Sequence, residues 1–247
     1  LQLRNQGIVL GEDSEKMSKS RGNVIAPDNL VKLYGADTVR AYLMFFARWD
    51  QGAPWSSTGI EGTARWLRRV WTLFTEPVER EKSDPAVTRN LRRKLHQTLR
   101  SVTRDFENYE FNTFVSGLME LLNEMYRNRQ VLIDSPEWEE AVDIYLRILA
   151  PIAPHIAEEL WMIHGKPYSI HQQAWPMVDE EAAAEEEITL VIQINGKVRD
   201  RVTLPVSVSE EQTKAAALQS EIVQKYLDGQ SPRQIILVPG RLINIVL

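Results

Sequence analysis

The sequence predicts a mainly α-helical chain, an antiparallel helical bundle that follows a polar loop and precedes a small α/β module. Three observations carry that reading. Between about residues 27 and 166, apolar side chains recur at three- and four-residue spacing, the mark of amphipathic helices. Beyond residue 187 the period falls to two, in β-rich runs around Asn195-Gly196 and Pro239-Gly240. Between the two regions lies DEEAAAEEE, residues 179–187, with six acids and no base.

Each element follows from local chemistry. Gly7-Ile8-Val9-Leu10-Gly11 is a short strand-like piece, and the polar run to residue 25 is a loop. Pro27-Asp28 opens a helix, because proline suits a first turn and an acid there complements the helix dipole. Thr58 with Glu61 predicts a capping box before RWLRRVWTLF, and Ser135-Pro136 opens another helix. Leu91, Leu95, Leu99, Val102 and Phe106 form one apolar stripe, and Phe111, Phe114, Val115, Leu118, Leu122 and Met125 a second. Val142, Tyr145, Leu146 and Leu149 form a third, until Pro151 and Pro154 interrupt it. Long amphipathic helices with short joints predict the bundle. Trp66, Trp71, Trp138 and Trp161 share this spacing and are expected in its core.

Asn195-Gly196 is the strongest short-range signal for a tight hairpin. Ser209 with Gln212 boxes the start of a helical stretch through Tyr226 and Leu227, and Pro239-Gly240 turns a second hairpin. The result is a β-β-α-β-β module of about sixty residues. The expected parts are therefore residues 1–50 with the loop and its following helices, a bundle at 51–177, a solvated acidic linker at 178–187, and a module at 188–247 that moves as a unit.

With 247 residues, 43% of them apolar, the chain can fill one large or two ordinary cores. It has no cysteine, which excludes disulfides and thiolate zinc sites and suits a reducing cytoplasm. No apolar stretch approaches the roughly 20 residues of a membrane span. LQLRNQ lacks the plan of a signal peptide, and a start without methionine reads as an internal point of a longer polypeptide. Net charge is −5, but without the six acids of 179–187 the rest carries +1.

Basic residues cluster at Arg65, Arg68 and Arg69 and again at Arg89, Arg92, Arg93, Lys94, Arg100 and Arg104. They form either a basic surface for nucleic acid or ordinary solvated helix faces. Lys197, Arg199 and Arg201 alternate along one predicted strand and so are expected to share a face, for phosphate contact or for edge protection. His96, His155, His164 and His171 lack the close pairing of a metal site and are expected to serve packing or helix surfaces.

Lys16-Met17-Ser18-Lys19-Ser20 remains, beside Arg21 and Gly22. Cations so close together repel, and short polar residues next to glycine do not favour regular structure. The arrangement suits wrapping a polyanion.

KMSKS continued by RGNVIAPDNLVKLYGADTVRAYLMFF, residues 16–46, closely resembles the second signature of class I aminoacyl-tRNA synthetases and the helices that family places after it. DQGAPWSSTGIEGTARWLRRVW looks like the bundle entry of the leucyl branch. INGKVRDRV and VPGRLINIVL resemble the end of its bacterial-type members, so the resemblance covers nearly the whole chain.

The resemblance implies a ligase that attaches leucine to tRNA(Leu) with ATP. It implies that Lys16 and Lys19 bind ATP phosphates, Lys19 foremost, with Met17, Ser18 and Ser20 completing the contact and Gly22 letting the loop flex. It further implies Mg2+ accompanying ATP in the complete enzyme, with no metal held here, and tRNA contacts from Arg92, Arg93, Lys197, Arg199 and Arg201. The His-Ile-Gly-His-like signature, leucine pocket and editing domain are not in this sequence, so an N-terminal catalytic and editing part is the expected partner. Neither a membrane nor DNA is expected as a partner. The other reading is a stand-alone, non-catalytic tRNA-binding or assembly module with a vestigial loop; the intact KMSKS-RGN run favours the first.

Overall fold

A computed structural model describes residues 3–184, 187–206 and 208–247. The chain divides into two compact units, residues 1–183 and 184–247.

In the first unit, Val9–Leu10 (β1) pairs in parallel with Ala53–Pro54 (β2). The approach requires glycine, since a Cβ on Gly7 would lie 2.0 Å from the backbone nitrogen of Gly52. The loop follows β1 and leads into α1 (Pro27–Tyr34) and α2 (Ala36–Phe45). Val39, Tyr42, Trp55 and Ile60 form a small core here, with Met17, Ile25 and Leu30 packed against it.

The bundle comprises α3 (Gly59–Thr75), α4 (Pro85–Glu107), α5 (Phe111–Arg127), the short α6 (Arg129–Leu132), α7 (Pro136–Leu149) and α8 (Pro154–Ile163). The expected stripes form its core: Leu91, Leu95, Leu99, Phe114, Leu118 and Leu122 are all buried. Phe106 lies at the margin, stacked on Trp175 with ring centroids 5.7 Å apart. Asp84 caps α4 by accepting from the Ala86 N–H at 2.8 Å, and Ser135 caps α7 by accepting from Trp138 at 3.0 Å.

Two expectations for α3 need correction. Thr58 has helical dihedrals and caps nothing; the Ser56 hydroxyl instead accepts from the Gly59 N–H at 3.1 Å. Trp66, Trp138 and Trp161 are buried, but Trp71 is 39% exposed, because it sits at the edge of the α3 apolar stripe.

Asp37 and Arg40, one turn apart on α2, grip the corner between α7 and α8. The Asp37 carboxylate accepts from the Ile156 N–H at 2.8 Å, and its other oxygen lies 2.7 Å from His155 Nδ1. Arg40 donates to the carbonyls of Pro151 at 2.9 Å and Ile152 at 3.3 Å. The residue before α8 is Ala153, which has no capping side chain, so α2 supplies the cap from more than a hundred positions away.

The acidic run is not a free linker along its whole length. Glu180–Ala183 forms a short helix, α9, docked on α4. Arg100 donates to Glu180, and Gln97 donates to the Ala183 carbonyl at 3.1 Å. A row of basic and polar groups on α4 offsets the acids locally.

The second unit holds β3 (Glu187–Ile194), β4 (Lys197–Pro205), α10 (Glu210–Gln219), α11 (Glu221–Leu227), β5 (Gln234–Val238) and β6 (Leu242–Val246). The sheet order is β4-β3-β6-β5, with β3 and β6 parallel at the centre and antiparallel pairs outside. Asn195 and Gly196 both have positive φ, as the primed two-residue hairpin turn requires. The Ser209–Gln212 capping box is present, but the helical stretch breaks at Ser220, which caps α11 separately. Ile192, Ile194, Ile243 and Ile245 pack with Ala217, Val223 and Leu227 as this unit's own core.

Candidate functional site

Lys16 enters the loop through an antiparallel bridge to Leu10, and Met17 packs on the small core. Asn23 closes the loop from the far side. Its carbonyl oxygen accepts from the Ser18 N–H at 2.8 Å, and its amide donates to Asp13 at 3.0 Å and to the Lys16 carbonyl at 3.4 Å. The Glu15 N–H, and then the Asn23 amide, hold the Asp13 carboxyl below its usual range, so Asp13 stays an ionised acceptor. Lys19–Arg21 forms a 3-10 turn ended by Gly22 at φ 69°. The Ser18 and Ser20 hydroxyls lie 2.8 Å apart.

The charges in this loop are not equivalent. Arg21 is paired with Glu15 at 2.9 Å. Lys16 and Lys19 are exposed and make no side-chain ion pair or hydrogen bond among the described residues. Two uncompensated ammonium groups with adjacent hydroxyls can take a polyphosphate by charge-assisted hydrogen bonds. Asn23 and Asp13, which shape the loop, escaped the sequence reading; the polar residues bracketing KMSKS were the available signal.

The other candidate residues separate. Arg92 is engaged by Glu140 and Asp179, each at 2.7 Å, which raises its pKa, while its neighbour Arg93 donates to Asn90 and has no carboxylate partner among the described residues. Lys197, Arg199 and Arg201 do not share a face, because the ladder slips between Ile192 and Gln193. Arg199 is the extra residue of this bulge and stands over the Tyr226 ring at 4.9 Å. Lys197 pairs opposite core-facing Ile194 and Arg201 opposite Val191, so they leave on opposite faces.

His96 helps hold the segment beside Arg92. Its Nδ1 accepts from the Asp179 N–H at 3.2 Å, which leaves Nε2 to donate to Glu140 at 3.1 Å. Burial raises the Glu140 pKa, but hydrogen bonds from Arg92 and His96 outweigh it and the net shift is downward. The Ala182 N–H first, and then Arg92, lower that of Asp179. A depressed folded-state pKa gives stability that is present above the unfolded value and lost as pH falls through the folded one. Acidification below about pH 4, or Arg92→Gln at neutral pH, is therefore expected to free residues 179–183. New proteolytic cleavage there reads the release; retained protection would show that the ion pair is not what holds the segment.

Among the described residues no three His, Asp or Glu side chains converge to hold a metal ion, and no helix is long and apolar enough to cross a membrane.

Residues 88–214 match the anticodon-binding domain of tRNA ligase, and residues 2–53 match tRNA synthetases class I (I, L, M and V). Leucine–tRNA ligases of Dehalococcoides mccartyi and Deinococcus radiodurans are each 49% identical to the chain over 245 residues. That is 99% of this chain but 30% of each relative, so the chain spans under a third of their length. A crystal structure of an Agrobacterium radiobacter LeuRS in ternary complex with tRNA and LeuAMS superposes with TM-score 0.82 at 32% identity, covering 98% of this chain and 33% of that one. Methionyl-tRNA synthetase of Mycobacterium tuberculosis shares the fold over 66% of this chain and 38% of its own, with TM-score 0.51 at 18% identity. The chain belongs to the class I aminoacyl-tRNA synthetases, as the C-terminal part of a leucyl-tRNA synthetase that takes in the end of the catalytic domain and the anticodon-binding domain.

Proposed function

We propose that this chain supplies the ATP-phosphate loop and tRNA-binding surfaces for attaching leucine to tRNA(Leu), acting with the remainder of a longer enzyme. The observation that carries the reading is the pair Lys16 and Lys19, exposed and uncompensated on a loop that ends at Gly22. When the leucine carboxylate attacks the α-phosphate of ATP, negative charge grows on the phosphoryl oxygens and on the departing pyrophosphate. Ammonium groups that close over that charge stabilise the transition state more than the ground state. Lys19 stands at the start of the 3-10 turn and Lys16 at the bridge to Leu10, which supports this reading. Ser18 and Ser20 can turn their hydroxyls from each other to phosphate oxygens. Mg2+ arriving with ATP would supply further charge neutralisation, and no ligand for it is assigned on this chain.

Leucine-dependent exchange of pyrophosphate into ATP is the test. It is expected from the chain mixed with the polypeptide carrying the rest of the enzyme, and not from the chain alone. Robust exchange by the chain alone overturns the reading.

For tRNA, Arg93, Lys197 and Arg201 are the foremost contacts, with Arg92 and Arg199 entering already engaged by carboxylates and by Tyr226. The A. radiobacter relative was crystallised with tRNA, which supports this partner. Arg201→Ala is expected to weaken tRNA binding and to reduce the slope of log K against log salt by about one. Amino-acid activation should be unaffected. An unchanged slope would remove Arg201 from the interface.

A further inference from the structure

The exposed Trp71 lines an open groove of about 420 Å³ on the first unit, a size usual for small-ligand clefts. Leu33 and Tyr34 of α1, Leu67, Arg68 and Trp71 of α3, and Ile156 of α8 form its walls. Leu33 is 75% exposed at the rim, so apolar surface stands open to water. Arg68 precedes Trp71 by three residues and so shares its helix face. The other two α3 arginines have partners: Arg65 lies 3.9 Å from Glu61, and Arg69 donates to Asn123 at 2.8 Å. Arg68 has none among the described residues, and no acid lines the groove.

We propose that this groove takes an unstacked nucleotide of the bound tRNA, its base against the Trp71 indole and its phosphate on Arg68. The assignment rests on the tRNA-binding reading above and adds a site to it. An aromatic face beside a guanidinium suits a nucleotide, which offers a π-surface and an anion within one residue's length. An apolar plug from a protein would fill the groove but leave the Arg68 charge desolvated and unpaired. The α3 helix carries three arginines against one acid, which favours a polyanion over an acidic-poor peptide.

The test is binding of a tRNA(Leu) transcript to the chain, by fluorescence anisotropy across a salt series. Trp71→Ala is expected to weaken binding about 5- to 150-fold, the range for losing one stacked base, with the salt slope unchanged. Trp71→Phe should retain most of the affinity, and Arg68→Gln should lower the slope by about one. A fully paired RNA duplex should bind wild type and Trp71→Ala alike, because its bases stay stacked. If the wild-type chain shows no salt-dependent binding to the transcript, the tRNA-binding reading itself fails. If wild type binds while folded Trp71→Ala and Arg68→Gln match it at every salt, the groove assignment alone fails and a protein segment becomes its occupant.

Discussion

Lys19→Ala in the full-length enzyme is expected to slow leucyl-adenylate formation about 100- to 1,000-fold, the loss of one transition-state contact at about 2.7–4 kcal/mol. Lys19 is exposed and has no partner among the described residues, so removing it leaves no buried group unsatisfied and the melting temperature should not move. Arg21→Ala is the internal control. That guanidinium is already paired with Glu15 and is expected to matter much less. Single-turnover kinetics of activation distinguish the cases. Near-normal rates for Lys19→Ala would mean that the loop does not clamp the phosphates, whatever its sequence resembles.

The largest effect on stability is expected at Phe114. Its side chain is fully buried, with ring centroids 5.5 Å from Phe106 and 6.5 Å from Trp175. Phe114→Ala removes most of a ring from a close-packed interior, which costs about 3–5 kcal/mol. For a unit of this size that lowers the melting temperature by roughly 6–20 °C. The core of the sheet unit shares no residue with the Phe114 cluster, so its signal serves as the reference within the same chain. A loss under about 1 kcal/mol would mean that Phe106 and Trp175 close over the gap.

How much of this was legible depends on the range of the interaction involved. The three apolar stripes, the Asn195-Gly196 turn and the Ser209–Gln212 box are set by neighbours a few residues apart, and the structure forms each as expected. KMSKS reads as a candidate polyanion loop from its local charges alone, yet the distinction between Arg21 and the two lysines depends on Glu15 folding back. Arg92 and Arg93 are indistinguishable in sequence. Only the placement of Glu140 and Asp179, on other elements, engages one and leaves the other. Trp71 kept helical spacing with the core tryptophans, but spacing does not tell how wide a helix's buried stripe is. The bulge at Arg199 was likewise hidden, because strict alternation assumes a regular ladder.

The grip of Asp37 and Arg40 on the α7–α8 corner restricts how these two positions can vary. They do not pair with each other; the carboxylate faces the Ile156 N–H and the His155 ring, and the guanidinium faces two carbonyls of the corner. In an ordinary salt bridge, exchanging acid for base on both sides restores attraction. Here the exchanged pair would aim a cation at a helix N-terminus and an anion at carbonyl oxygens, and both contacts would turn repulsive. Charge reversal at one position therefore has no rescue at the other. The substitutions that keep the joint are neutral ones of the same hydrogen-bonding sense, an acceptor such as Asn at 37 and a donor such as Gln at 40.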